Sequence, residues 1–181
     1  ERARLAAVVF VVLFTQLLVY PGVDRLVEAL GGAPSIDAGT AFLAVQLLAF
    51  VLFSVVWGAV SDRTGRRVPF IVLGAIGGAT TYLVLSATVL FGFGDFRTAL
   101  VLRFVEGTFT IGAFSLAITM LMDLEGGHGK NMGAAGIAIG GGAALGAPVG
   151  GQLYAFGPLA PILASAVLLL LAAGVVTTVP D

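Results

Sequence analysis

Long uncharged stretches restrict this chain more than any other feature. Leu5–Val23, Ala38–Ser61 and Val68–Gly94 carry almost nothing ionisable, and Thr98–Met122 is interrupted only by Arg103 and Glu106. A last stretch, Asn131–Pro180, is too long for one membrane crossing and suits two. A helix needs about 20 mostly apolar residues to traverse the hydrocarbon core. In "GQLYAFGPLAP" Gly157, Pro158 and Pro161 supply a break between the two. Six spans are expected, at about 5–30, 38–61, 68–92, 97–123, 131–154 and 158–179. Strands would leave backbone groups unpaired in lipid, and a β-barrel would show short alternating segments. The expected fold class is an all-α membrane protein.

Composition agrees. The 181 residues are 59% hydrophobic and 10% charged, with a mean hydropathy of +1.08. A soluble domain carries about a quarter charged residues, so the main solvent here is lipid. There is no cysteine, which excludes disulfides and thiolate chemistry. A net charge of −1 points away from nucleic acid. His128 is the single histidine, and one imidazole makes no metal site. "GGHGKN" lacks the glycine and the Ser or Thr of a phosphate loop. No nucleophile–base pair suggests an enzyme, and no cofactor is expected.

The first run is too long for a leader and lacks a small-residue cleavage site. The chain starts at Glu1 rather than methionine, which suggests a piece of a longer protein. Arg2, Arg4, Arg63, Arg66, Arg67 and Lys130 fall on one side of the six spans, and Arg25 and Arg97 on the other. The positive-inside rule then puts both termini in the cytoplasm of a multi-pass protein of the cell membrane.

The second run ends in "GAVSDRTGRR". Gly58 and Asp62 share a helical face, and Gly58 would admit a close neighbour. Asp62 lies where the helix dipole is already negative, so it calls for a positive partner such as Arg63 or Arg66. Gly65 suits a left-handed helix cap. In the fourth run, Arg103 and Glu106 are three apart on one face and well inside the membrane. Arg103 is expected either to snorkel outward or to pair with Glu106, and Glu106 to be a structural partner or a proton carrier. Gln16, Gln46 and Gln152 are further polar groups, candidates for substrate contact or for interhelical hydrogen bonds. Tyr20 and Tyr154 read as interface anchors.

These stretches resemble the major facilitator superfamily. "GAVSDRTGRR" is similar to its loop pattern G-x-x-x-D-R-x-G-R-R, with Gly58, Asp62, Arg63, Gly65, Arg66 and Arg67 in place. "LRFVEG" is similar to R-x-x-Q-G, with Glu106 replacing Gln. The fifth span is similar to the antiporter pattern G-x8-G-x3-G-P-x-x-G-G at Gly133, Gly142, Gly146, Gly150 and Gly151, while Pro148 stands one position late. The resemblance implies the N-terminal six-helix half of a rocker-switch transporter, built as a 3+3 inverted repeat and needing a second half. It implies a cytoplasmic latch in which Asp62 braces the other half and a loop arginine, Arg66, meets Asp123. It further implies a proton-coupled exporter of small amphipathic or drug-like molecules, with protons and substrate as partners. A symporter or uniporter for sugars or other metabolites, and a non-transporting or dimerising module, are the alternatives. Spans 1–3 and 4–6 show only general similarity to each other.

Overall fold

A computed structural model describes residues 1–181 as helices joined by short turns, with no strand. The helices are α1 (Arg2–Leu18), α2 (Val23–Ala29), α3 (Ile36–Thr64), α4 (Val68–Leu90), α5 (Phe96–Asp123), α6 (His128–Leu153) and α7 (Ala160–Val176). Five segments are long and apolar enough to cross a membrane, α1 and α2 counting as one. The sixth, α7, has 17 residues, about 25 Å at 1.5 Å per residue.

Local chemistry sets the helix ends. Ser35 caps α3 by accepting from the Ala38 N–H at 3.2 Å. Asp95 caps α5 by accepting from the Thr98 N–H and hydroxyl, each at 2.8 Å. Those bonds, the backbone one first, hold the Asp95 carboxyl below the ordinary aspartate range. Gly65 ends α3 at φ +65°, the left-handed conformation glycine adopts without a Cβ penalty. Pro161 falls in the first turn of α7, where its missing N–H has no partner to lose, so it starts that helix. The expected uninterrupted first span is broken instead: Tyr20–Gly22 forms a 3-10 turn between α1 and α2, because Pro21 cannot donate back along the helix.

Tertiary packing follows an exchange. α1, the first helix of the first triplet, packs mainly on α6 and α7 of the second; α5 packs mainly on α3 and α4 of the first. α1 also touches α5, and α4 touches α7. The 3+3 pattern, faint in sequence, is plain in these pairings.

Three glycines allow the α1–α6 contact. A Cβ at Gly142 would come within 2.9 Å of the Phe10 carbonyl oxygen, at Gly146 within 2.5 Å of the Leu17 Cβ, and at Gly150 within 2.2 Å of the Leu18 carbonyl oxygen. Without side chains there, the two backbones touch. Gly133, Gly151 and Pro148 of the same expected motif point elsewhere and are exposed. Gly58 also stands open, with nothing near the place of a Cβ. No element of this chain supplies the close neighbour expected there.

Candidate functional site

Mid-bundle, four helices contribute one polar cluster. α5 brings Arg103 and Glu106, α1 brings Gln16, α3 brings Gln46 and α4 brings Tyr82. All five are buried, Arg103 completely. The Arg103 guanidinium therefore does not snorkel to the membrane surface.

Glu106 accepts three hydrogen bonds. Gln16 Nε2 donates to Oε1 at 3.0 Å; Gln46 Nε2 and the Arg103 guanidinium donate to Oε2 at 3.2 Å and 2.9 Å. Both amides must turn their NH2 toward this carboxylate, which only accepts when ionised. Arg103 has further support. It donates to the Tyr82 hydroxyl at 2.8 Å and to Gln46 Oε1 at 2.6 Å. Its guanidinium carbon lies 5.1 Å from the Phe42 ring centroid and 5.7 Å from that of Tyr82. Aromatic faces attract a desolvated cation at such distances. Two polar atoms of the cluster have no partner, Arg103 Nε and Gln16 Oε1.

The close approach of α3 that makes this cluster depends on Gly107, where a Cβ would come within 2.9 Å of the Gln46 carbonyl oxygen. Of the three expected glutamines, Gln16 and Gln46 join the cluster, and both face Glu106 rather than an open cavity. Gln152 is exposed on α6 and takes no part. Tyr82 and Phe42 were not singled out from sequence. A lone phenol within the apolar run Val68–Leu90 was the available signal. Tyr154 is buried rather than an interface anchor: its hydroxyl donates to the Val19 carbonyl at 2.8 Å, where α1 breaks.

The second charged region lies at the end of the bundle that holds both termini. Arg67, not Arg66, forms the ion pair with Asp123. Asp181 Oδ1 accepts from the Arg67 and Val68 N–H groups at 2.6 and 3.0 Å, placing a carboxylate at the positive end of α4. Arg4 donates to the Thr178 carbonyl beyond α7, and Arg2 to Asn131 Oδ1 and the Glu125 carbonyl. Asp62, Arg63 and Arg66 are exposed, and Asp62 forms an ion pair with neither of the two arginines offered as its partner. Asp62, Arg67, Asp123 and Asp181 line an open depression of about 540 Å³.

No match was found among curated proteins. The family model described as Major Facilitator Superfamily matches residues 5–181, taking in the charged loop, the Arg103–Glu106 pair and all six apolar segments. An all-helical bundle of apolar spans with that match over nearly its whole length identifies a multi-pass membrane transporter sequence, and the chain belongs to the major facilitator superfamily.

Proposed function

We propose that this chain is the N-terminal half of a secondary active transporter that exports small amphipathic or drug-like molecules in exchange for protons. The observation that carries this reading is Glu106, an ionisable carboxylate buried where four helices meet. Intramembrane carboxylates are costly and mark ion pathways or proton relays. Here α1, α3, α4 and α5 all hold the charged pair, so a change in Glu106 protonation alters contacts on each of them at once. That is what coupling a proton to a bundle movement requires.

The inner-end charges fit the same reading. Arg67–Asp123 joins α4 to α5 within this half, while Asp62 and Gly58 remain free for a helix of a second half. With the basic loop in the cytoplasm of a cell-membrane protein, Asp62 braces the closed cytoplasmic side during alternating access. Gln152, Gly133 and Gly151, unpartnered here, are available to the cavity or to that second half.

The displaced Pro148 favours a second reading, a symporter or uniporter for metabolites. It lies inside α6, one residue past the antiporter position. The discriminating experiment is flux through the parent protein in proteoliposomes, with and without an imposed pH gradient. Exchange driven by the gradient and abolished in Glu106→Gln supports the proposal. Gradient-driven transport unchanged in Glu106→Gln would overturn the proton role of Glu106.

A further inference from the structure

Gln16 Oε1 is a buried amide oxygen without a partner, next to the carboxylate proposed to carry the proton. Such groups are rare in native interiors and each calls for a reason. The reason is found in how the donors divide between the two oxygens of Glu106. Oε2 receives two, from Gln46 and Arg103; Oε1 receives one, from Gln16. Fewer donors leave more electron density, so a proton adds at Oε1, the oxygen facing Gln16.

A protonated Oε1 is a donor and needs an acceptor. The Gln46 amide is committed at both ends, its Nε2 to Glu106 and its Oε1 to Arg103. Of the two amides that meet Glu106, only Gln16 has an oxygen without a partner. We infer that Gln16 is the positioning residue for the coupled proton: when Glu106 Oε1 is protonated, the Gln16 amide turns over and its Oε1 accepts the new O–H.

Atoms and charges balance. One proton passes from a hydronium ion of the solution to Glu106 Oε1, leaving water; the carboxylate becomes neutral, and Gln16 exchanges an N–H···O contact for an O–H···O contact. The amide torsion of a glutamine is broad and roughly two-fold, so both orientations are accessible. Before the turn the unpartnered atom is Oε1, and afterwards it is Nε2, so the amide sheds one orphan and gains another. The new hydrogen bond to the proton is the difference.

Arg103 can stay through this step. With Glu106 neutral it still holds Tyr82 and Gln46 and lies against two aromatic rings. The groups facing Glu106 are few. Arg103 on its own helix and Tyr82 on α4 are the titratable ones. α1 and α3 present the two glutamines, α5 itself adds the Thr110 hydroxyl, and α6 donates from Asn131 to the Met122 carbonyl at the inner end of α5.

The inference rests on the reading of Glu106 as the proton acceptor, and solid-state NMR of the reconstituted protein separates the two. The Glu106 carboxyl carbon and the side-chain amides of Gln16 and Gln46 are followed as pH changes. The expected result is a Gln16 amide shift with the same midpoint as the Glu106 carbon, a stationary Gln46 amide, and no Gln16 shift in Glu106→Gln. A titrating Glu106 with a stationary Gln16 amide overturns the role of Gln16 and leaves the proton site standing. A Gln46 amide that moves in place of Gln16 does the same. A Glu106 carbon that does not titrate overturns both.

Discussion

The chain holds two arginine–carboxylate pairs in opposite surroundings. Arg103–Glu106 is dry, with side chains 0% and 2% exposed; Arg67–Asp123 is wet, at 27% and 60%. In water such a pair contributes roughly 0–1 kcal/mol, because solvent screens it and long side chains lose freedom. In the interior the attraction is larger, yet so is the cost of removing both charges from water. An apolar replacement of the whole buried pair is therefore often neutral or stabilising. The lesson is that stability alone poorly explains Arg103–Glu106, and the proposed function gives the pair a different reason to exist.

Breaking one partner gives the largest expected effect. Arg103→Leu should cost about 3–5 kcal/mol, since Glu106 is then left buried without its counter-charge. The double replacement by leucines should recover much of that loss, as thermal unfolding in detergent would show. A double variant no more stable than the single would mean the cluster is mainly a stability element. Gly146→Leu comes next, at about 1–3 kcal/mol, because the added side chain drives α6 away from α1. Gly133→Leu, on the open face of the same helix, should stay within about 0.5 kcal/mol.

At the wet pair, Asp123→Asn should cost no more than about 1 kcal/mol and matter less in high salt. Asp62→Asn should leave this bundle's stability unchanged. With a second half present it should move the balance toward a cytoplasm-open state, visible as increased labelling of cysteines placed in the inner cavity. The smallest effect belongs to Asp95. Its folded carboxyl titrates below the unfolded one, so its contribution is present above the ordinary aspartate range. As pH falls through the folded value that contribution is lost, and faster hydrogen exchange at the first turn of α5 should report it.

Sequence reading located these pairs unequally. The apolar runs announced the number of segments because chain length in lipid admits few alternatives. The Arg103–Glu106 pairing was legible from a spacing of three. Their other partners were not. α4 is apolar on every side, so periodicity does not tell whether Tyr82 faces lipid or protein. The same ambiguity hid which glycines of α6 meet α1. Arg66 and Arg67 are adjacent, and only the turn at Gly65 decides which reaches Asp123. The Pro21–Gly22 signal was present, but the long apolar run around it read as continuous.

The exchange of first helices has a consequence for biogenesis. Of the seven helices α1 is made first, yet its main packing partners, α6 and α7, are made last among the seven. At about 5–20 residues per second, that delay is on the order of ten seconds. Until Glu106 is made, 90 residues later, Gln16 has no carboxylate to meet. The main contacts of α1 therefore form only when the two ends of the bundle meet.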